Sequence, residues 1–522
     1  MNAGTPGRGG VFDVSSPGLG AGESLPGKVK WCVIGSGPAG ATVARALAKA
    51  GQEVVVLEEG PDRQGEKLTQ RDGEMYDQLY MGRGGRTTSD LSMSVLGGRV
   101  LGGGSVINAC DVVPIHRSVL RVWQKQFGLS EYSAEALAED EQAALADLSV
   151  NRPDKSTLNR NNALLLSGCE RLGFRSEIMQ HNRVGCVGLG TCFLGCPASA
   201  KRNARTVQIP QAVADGVRFF VRARAKRIEP MGKKRHLVTV RALDERGYHE
   251  TREFVIEAEQ VILAAGAIPT GELLLRSGLA KGHAGRRFLL QPQLPIAAFF
   301  AEPVRCFSGI PQSVAVTEFE NLEDATHGFW GFRIESIGGT PGIVSTMLPT
   351  VGPEGQTHMQ RYAHLAGALL LHPDAPSDTS RLEVERNGRL LIHYTLSAEQ
   401  KQRLRQSVDA AVRLFLAAGA QEVVVPMPPG LVFRELSDLP KLARLAFEPA
   451  TVPLISAHQM GTARMGPSAK TAACSPSGEL YDAPGVFVFD SSLFPSSPSS
   501  HIMAPVLTIA HHLSRRLLSR TV

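Results

Sequence analysis

The stretch KWCVIGSGPAGATVARALAKAGQEVVVLEEG, residues 30–60, decides the fold of this chain. It opens on the short apolar run Trp31–Ile34, which is typical of a parallel strand buried on both faces. Gly35, Gly37 and Gly40 follow directly as G-x-G-x-x-G. The first glycine permits a tight turn, the second lets backbone approach a pyrophosphate, and the third lets helix and strand pack closely. The spacing therefore predicts a strand, a tight turn and a helix.

The residues after the glycines complete a nucleotide-binding unit. A helix is predicted over 39–50 and ends at Gly51, and a second strand over Val54–Leu57 leads into Glu58. This carboxylate stands at about the 20-residue distance at which it can accept both ribose hydroxyls and repel the extra phosphate of NADP. A Gly-rich structural turn is the alternative, but the strand, helix and acid together favour dinucleotide binding. The motif alone does not separate FAD from NAD.

Composition bounds the class of protein. The chain has 522 residues, 43% of them hydrophobic and 20% charged, which is ordinary for a globular protein with two or more cores. The net charge of +6 is spread over 56 basic and 50 acidic residues. The sequence contains no basic patch interleaved with aromatic residues, so no nucleic-acid partner is predicted.

The ends of the chain and its cysteines suggest a location. No apolar run reaches the ~18 residues that span a bilayer, so no transmembrane segment is predicted. Residues 1–27 are rich in Gly, Pro and Ser and lack an apolar signal region, so they are predicted to be a disordered leader. The 8 cysteines do not resemble a disulfide scaffold in a chain this long. The cytoplasm is the simplest location.

A second Gly-rich segment, GGRVLGGGSVINAC over residues 97–110, follows the first motif closely. Small residues let backbone lie flat against a planar ring and point its N–H groups at ring atoms or phosphate. A flexible surface loop is the alternative. The segment contains four apolar residues that favour a buried loop: Val100, Leu101, Val106 and Ile107.

Cys186, Cys192 and Cys196 are spaced like metal or iron–sulfur ligands. A closed tetrahedral site needs four ligands, and His181 is the nearest candidate for the fourth. Buried free thiols packing a glycine turn are the preferred interpretation. No metal site is predicted.

The remainder of the chain contains a second strand–turn–helix segment and then a region of successive strands. Val261–Gly278 repeats the strand–turn–helix pattern and is predicted to rejoin the first sheet. Between about residues 287 and 448, strand-like segments follow one another with little helix, which favours an antiparallel sheet in a separate domain. Ser397 and Gln400 predict a capping box that begins one long helix there. The strand-like segments are Pro295–Phe300, Ser313–Glu318, Gly331–Ile337, Gly342–Met347, Ala366–His372, Arg381–Val384 and Leu390–Tyr394.

Two late segments each carry a histidine among small residues, SAHQMGTARMG with His458 and SSHIMAP with His501. Imidazole, with a free pKa of ~6.5, suits proton removal near neutral pH. One ring could take a proton while the other holds the substrate oxygen. Each histidine taken alone can also be interpreted as a structural residue. The spacing in the sequence does not predict that the two side chains are neighbours.

The ordered set of motifs resembles the glucose–methanol–choline (GMC) flavoprotein oxidoreductases over nearly the full chain. The segments are the glycine motif with Glu58, GGRVLGGGSVIN, VILAAGAIPTGELLLRSG, HQMGTARMG, and GVFVFDSSLFP followed by SSHIMAP. The resemblance implies an α/β FAD-binding Rossmann-like domain of GMC type and an α+β substrate domain with an antiparallel sheet. It implies a cofactor domain in three parts (28–120, 181–290 and 451–522), a cap segment over 121–180 and a substrate-binding domain over 291–450.

The resemblance also assigns roles to residues. FAD is the implied cofactor, held through Gly35, Gly37, Gly40 and Glu58, and His458 and His501 are the implied catalytic pair. Some members link the flavin through a histidine where Ile107 stands, so FAD is expected to be non-covalent here. The positions that match flavin contacts elsewhere in the family are Gly103, Gly104, Ser105, Asn108 and Asp490.

The implied activity is oxidation of an alcohol to an aldehyde or ketone, with oxygen or another electron acceptor. CFLGCPASAK and SAHQMG are similar to the long-chain alcohol oxidase and cholesterol oxidase subgroup, which implies an apolar alcohol. The family often has Ser-Pro at Thr270 and Gly271, His-Pro near Gln291, and Asn-Pro in the final loop. A GMC-type lyase or lipid-binding protein and an NAD-dependent dehydrogenase are the alternatives.

Overall fold

The computed structural model describes residues 9–16, 24–232, 235–348, 352–427 and 430–519. The strands are β1 (Gly10–Asp13), β2 (Lys28–Ile34), β3 (Val54–Glu58), β4 (Met93–Val95), β5 (Ser176–Ile178), β6 (Arg218–Val221), β7 (Ala223–Pro230), β8 (His236–Leu243), β9 (Glu250–Leu263), β10 (Gln293–Phe299), β11 (Val314–Val316), β12 (Glu320–Asn321), β13 (Trp330–Gly331), β14 (Arg333–Ser336), β15 (Leu365–Leu371), β16 (Arg381–Val384), β17 (Leu390–His393), β18 (Glu422–Val425), β19 (Leu431–Phe433), β20 (Leu454–Ser456) and β21 (Val486–Val488).

The helices are α1 (Pro38–Lys49), α2 (Asp72–Leu79), α3 (Gly104–Ile107), α4 (Arg117–Phe127), α5 (Ala134–Asp147), α6 (Arg160–Leu172), α7 (Gln208–Ala214), α8 (Ala267–Ser277), α9 (Pro341–Met347), α10 (Gly352–Gln360), α11 (Ala398–Ala417) and α12 (Met503–Ser519). Within the described residues, no helix is both long enough and apolar enough to cross a membrane.

The first sheet is the Rossmann-like half of the molecule. Its order is β1-β6-β3-β2-β9-β8-β7, with β21 beside β9. The strands from β1 to the carboxyl half of β9, together with β21, run parallel, whereas β7, β8 and the first half of β9 form an antiparallel meander. Trp31, Cys32 and Val33 in β2 are buried against α1 and α12 in one core. The predicted strand–turn–helix unit and the dinucleotide-type fold are confirmed.

The second sheet has the order β19-β18-β10-β15-β14-β11-β5, and β20 joins β10 to β4. All its pairs are antiparallel except β4 with β20. α11 covers it, and Ser397 and Gln400 form the predicted capping box. The mixed α+β substrate half is confirmed as a fold. Three strands from outside the predicted substrate-binding range 291–450, namely β4, β5 and β20, join this sheet. The proposed domain limits stay a prediction.

Two local predictions are wrong. Gly342–Met347 was expected to be one of the strand-like segments, but Pro341 occupies the first turn of a helix and Thr340 its cap, so the segment is α9. Residues 1–27 were expected to be a disordered leader, but Gly10–Asp13 pairs in parallel with β6. Arg222 forms an ion pair with Asp13 and fastens this edge strand. Residues 1–8 and 17–23 lie outside the described residues.

Candidate active site

A cavity of about 400 Å³ lies where the carboxyl ends of the parallel strands face the second sheet. Open α/β sheets bind ligands at this edge. Every residue predicted to form the site lines the cavity except Gly40, which packs behind the turn. The residues that do so are Gly35, Gly37, Glu58, Gly103, Gly104, Ser105, Asn108, His458, Asp490 and His501.

The glycine turn at the end of β2 admits no side chain. Gly35 has φ +102°, and a Cβ there would lie 2.3 Å from the Ala264 carbonyl oxygen. A Cβ on Gly40 would lie 2.0 Å from the Gly35 oxygen, so this glycine allows helix and turn to touch. Gly37 caps α1 with no side-chain hydrogen bond. The N–H groups of the first turn of α1 are therefore available to an anion.

Replacing Gly35 by Ala should abolish dinucleotide binding, because the added methyl group meets backbone and the positive φ strains an L-residue. The cofactor content of purified protein, read from its absorbance, measures this. Gly27→Ala is the matched control because nothing lies within 4 Å of its Cβ position. Full cofactor content in Gly35→Ala would contradict the assignment of this turn.

Glu58 lies buried at the carboxyl end of β3. Oε2 accepts hydrogen bonds from the Ser36 amide and hydroxyl at 3.1 and 2.6 Å, and Oε1 accepts one from the Gly60 amide at 2.7 Å. Burial raises the pKa of Glu58, and these hydrogen bonds oppose the rise. The carboxylate is fixed at the cavity wall and keeps lone pairs for ribose hydroxyls.

The second Gly-rich segment lies directly against the first. A Cβ on Gly103 would lie 2.9 Å from the Cα of Gly37, and the Ser36 hydroxyl accepts a hydrogen bond from the Gly102 amide at 3.0 Å. The Ser105 hydroxyl donates to the Gly102 carbonyl and accepts from the Ala204 amide, so it holds the loop in shape. The four apolar residues of this loop are buried, as predicted.

Two further predicted residues form hydrogen bonds between segments that line the cavity. Asp490, one of the residues that follow β21, accepts from the Gly266 amide at 2.9 Å and the Thr270 hydroxyl at 2.7 Å, and so holds the start of α8 next to the end of β21. Burial raises the pKa of Asp490. The Asn108 amide nitrogen lies 3.1 Å from the Met503 sulfur at the start of α12.

The two histidines meet in the cavity. His458 follows β20 and His501 precedes α12, and their ring centroids lie 5.1 Å apart at an interplanar angle of 72°. Residues distant in sequence thus form one pair within reach of a single substrate oxygen. The sequence named both residues but could not place them together.

Gln291 fixes the tautomer of His458. The amide nitrogen of Gln291 donates to the Ser499 carbonyl at 2.8 Å, so its oxygen faces His458 Nδ1 at 2.5 Å. This contact favours a hydrogen on Nδ1, which leaves a lone pair on Nε2. The Gln293 amide nitrogen lies 3.0 Å from the same Nδ1 and, as a donor, opposes this tautomer, so the shorter Gln291 contact decides it. Burial and the neighbouring His501 lower the pKa of His458 to about 3, so this ring is neutral.

Glu335 stabilises the protonated form of His501, whereas His458 is neutral. Its carboxylate oxygens lie 3.0 and 2.9 Å from His501 Nε2. Burial acts to lower the pKa of His501, but the charge and hydrogen bonds of Glu335 outweigh it and raise the pKa. Burial acts to raise the pKa of Glu335, but His501 and Arg333 lower it to about 2. His501 is therefore protonated, and Glu335 contacts its Nε2 but not its Nδ1.

Arg333 continues this chain of charges into the second sheet. Its side chain is 2% exposed and contacts Glu335 at 2.7 Å, Glu320 at 3.0 Å and Glu177 at 2.6 Å. A buried arginine with several carboxylates satisfies its fixed fork of donors. The His501–Glu335 pair is thus part of a buried ion network.

The sequence reasoning missed Gln291, Gln293 and Glu335 as parts of the site. The alternation of Arg333 and Glu335 within the buried run FRIES was an available signal, because charged residues are rarely buried unless they are paired. The two glutamines carry no comparable local signal. They lie at or just before the start of β10, and only the fold brings them to His458.

The cysteine segment was predicted to hold buried free thiols. The thiols are free, but the prediction of burial is wrong, since Cys186 is exposed and Cys192 and Cys196 are half-buried. Among the residues that the structure describes, no group of three or more His, Cys, Asp or Glu side chains is arranged to hold a metal ion.

Aliphatic side chains from the second sheet and α9 line the remaining side of the cavity. They include Ile337, Ile343, Val344, Leu348, Leu365 and Leu369. A mostly aliphatic wall favours an alkyl group and offers few hydrogen bonds to a sugar-like ligand.

Comparison with known proteins assigns the family. The GMC oxidoreductase amino-terminal model matches residues 76–293, its carboxyl-terminal model matches 377–510, and an NAD(P)-binding Rossmann-like domain model matches 33–81. An uncharacterized GMC-type oxidoreductase of Mycobacterium tuberculosis is 31% identical over 94% of this chain and 76% of its own. The chain belongs to the GMC oxidoreductase family. It is therefore an oxidoreductase of a flavoprotein family.

Other GMC relatives extend the comparison. The long-chain-alcohol oxidase FAO4A of Arabidopsis thaliana is 28% identical over 92% of this chain and 67% of its own. The crystal structure of pyridoxine 4-oxidase from Mesorbium loti has a TM-score of 0.70 at 17% identity, covering 94% of this chain and 99% of that one. A formate oxidase structure has a TM-score of 0.68 at 14% identity, covering 95% and 99%. The structural neighbours show a shared fold.

Proposed function

We propose that the protein oxidises an apolar alcohol, long-chain or sterol-like, to an aldehyde or ketone with non-covalently bound FAD. The observation that carries this proposal is the contact of a neutral His458 with a cationic His501 at one end of an aliphatic cavity. Oxygen or another acceptor would take the electrons. The similarity to long-chain-alcohol oxidases supports the substrate class.

The residues of the first sheet fit FAD. The uncapped start of α1 after Gly37 would hold the pyrophosphate, and Glu58 would hold the ribose. The backbone of 103–108 would face the ring system. When bound, FAD supplies an acceptor for hydride. The position of Ile107 offers no nucleophile for a covalent link, which supports non-covalent binding.

His458 would act as the general base. Its Nδ1 hydrogen is held by Gln291, so the Nε2 lone pair is the ring site that can take a hydroxyl proton. Loss of that proton promotes departure of hydride from the carbinol carbon. The enzyme must hold that carbon at near-contact distance, about 3–3.5 Å, from the acceptor.

His501 would hold the substrate oxygen. Since Glu335 occupies Nε2, the Nδ1–H of the cationic ring can donate to the oxygen as negative charge develops there. A fixed donor aimed at developing charge lowers the barrier because it costs no reorganisation. The two rings would thus divide proton removal and charge stabilisation.

Anaerobic titration with alcohols tests the proposal. Visible spectra are recorded while purified protein is mixed with a series of primary alcohols of increasing chain length, a sterol and a small polar alcohol such as glucose. Bleaching of the flavin by the apolar members alone is expected. Release of the yellow cofactor into the supernatant after acid precipitation is the expected sign of non-covalent binding. A yellow protein that no alcohol bleaches would overturn the activity.

The pH dependence follows from the charge states. His458 stays deprotonated down to its pKa of about 3, so kcat/KM should show no decline near 6.5 on the acid side. His501 keeps its proton until the pH passes its raised pKa, so kcat/KM should fall only on the alkaline side of 6.5. Measurements between about pH 5 and 9 with one alcohol check this. An acid limb centred near 6.5 would contradict the neutral state of His458.

A further inference from the structure

Asp111 is a buried carboxylate that the proposed reaction does not use. It lines the cavity and is 3% exposed. Within the described residues, neither of its carboxylate oxygens has a hydrogen-bond partner. Two other carboxylates of the cavity wall, Glu58 and Asp490, each accept hydrogen bonds from amide and hydroxyl groups of the protein. Because a buried carboxylate without donors is costly, we expect a molecule in the cavity to supply the missing donor to Asp111.

Backbone hydrogen bonds on both sides fix the position of Asp111. The Val112 amide donates to the Gln180 carbonyl at 3.0 Å, and the Cys110 carbonyl accepts from the Asn182 amide at 3.0 Å. Val112 packs in a buried cluster with α12, whereas the Asp111 side chain lies at the cavity wall. The carboxylate is therefore held in place before any ligand enters.

The segment that follows Asp111 runs beside the loop of His501. The Ser499 hydroxyl donates to the Val113 carbonyl at 3.3 Å, which joins the two segments. Burial raises the pKa of Asp111 to about 7, and the charges of Arg183 and His501 oppose the rise. The unpartnered carboxylate and His501 thus lie on neighbouring segments of one cavity wall.

The surroundings of Asp111 favour a neutral donor. His501 is a cation in the same cavity, and the buried Arg183 guanidinium donates to the carbonyl of Ala109, two residues before Asp111. Both positive charges oppose the binding of an ammonium group. An ionised carboxylate accepts hydrogen bonds but cannot donate them, so the ligand must supply the hydrogen. A hydroxyl group meets both conditions.

We propose that Asp111 binds a second hydroxyl group of the alcohol, on a carbon close to the one that is oxidised, so that the preferred substrate is an aliphatic diol. The inference rests on the proposed function, since the reacting hydroxyl must lie at His458 and His501. A simple alcohol leaves the buried carboxylate without a donor, and this cost lowers its rate relative to the diol. Asp111 therefore determines specificity and takes no part in the chemical step.

A comparison of matched substrates tests the proposal. Anaerobic flavin reduction is measured at about pH 8, where Asp111 is ionised, with octanol, its 1,2- and 1,3-diols, and 2-methoxyoctanol. The second-order rate constant for the better diol should exceed that for octanol at least about tenfold, the effect of one hydrogen bond to a charged acceptor. The methoxy compound has the second oxygen without its hydrogen and should show no gain. Diols that react no faster than octanol would overturn the proposal.

Variants assign the preference to Asp111. Asp111→Leu removes both oxygens and keeps a side chain of similar size, so the diol-to-octanol ratio should fall to about one. Asp140→Asn is the matched control, because Asp140 is buried in an ion pair with His512 outside the cavity wall, and it should keep the wild-type ratio. A folded Asp111→Leu protein that keeps the wild-type ratio, or that has lost its yellow cofactor, would overturn the assignment. The wild-type substrate ratio decides the question if that variant does not fold.

Equilibrium binding separates this inference from the proposed function. If no alcohol reduces the flavin, the proposed function fails, but the subsite is still tested by the dissociation constants of octanol and its diols. Isothermal titration calorimetry with the cofactor-containing protein measures them. Tighter binding of a diol that is lost in Asp111→Leu would support the subsite, and equal dissociation constants in the wild-type protein would overturn it.

Discussion

Replacing His458 by Ala should lower the rate of flavin reduction by about 10²–10⁴-fold, the usual loss when a general base is removed. The hydrogen bond from Nδ1 to Gln291 fixes the free lone pair on Nε2, and no other side chain in the pair can replace it, because His501 is already protonated. The cofactor should stay bound, since the glycine turn and Glu58, which would hold it, are unchanged. Anaerobic stopped-flow spectroscopy with the best alcohol substrate measures the rate.

The control for this variant is His283→Ala. His283 is a half-buried residue that does not line the cavity and whose ring contacts the Ala469 carbonyl, so its loss should leave the rate unchanged. A His458→Ala protein that is yellow and reduced at the wild-type rate would remove the general-base role. A colourless His458→Ala protein would instead assign His458 to cofactor retention.

Replacing Glu335 by Gln should destabilise the protein by about 3–5 kcal/mol, the typical cost of breaking a buried ion pair. The variant keeps the shape of the side chain but removes the charge that faces both His501 and Arg333, each of which is buried. It should also move the alkaline decline of kcat/KM to lower pH, because Glu335 raises the pKa of His501. Thermal unfolding and the pH–rate profile measure the two effects.

The pH dependence of this stabilisation has a defined direction. The folded pKa of Glu335, about 2, lies below its ordinary value of 4.5, so the contribution is fully present above pH 4.5 and is lost as the pH falls toward 2. The gap in stability between wild type and variant should shrink across that interval. Glu318→Gln, which removes a solvent-facing pair with Arg175, should lower the stability far less than Glu335→Gln does. Equal effects of the two substitutions would contradict the importance of burial.

Local pattern was sufficient for the nucleotide-binding unit from β2 to Glu58. The roles of Gly35, Gly37 and Gly40 depend on turn geometry within a few residues, and Glu58 follows at a distance set by one helix and one strand. The capping box of α11 is equally local. Such features depend only on residues that are close in sequence, so residue spacing predicts them.

The remainder of the site depends on pairing between distant segments. Glu335 reaches His501 because β14 lies within the second sheet, and Gln291 reaches His458 because it directly precedes β10. The edge strand Gly10–Asp13 likewise exists through pairing with β6. Composition and periodicity carry no information on such pairings.

The place of β9 between β2 and β21 bears on how the chain is made. Val486–Val488 supply the neighbour of residues 261–263, so one edge of this strand stays uncovered until most of the chain has left the ribosome. An unpaired strand edge is a template for association between molecules, and parallel pairing over such separations is slow. His501 emerges later still. Newly made chains therefore carry an unpaired strand edge, which favours association between molecules, until β21 is in place.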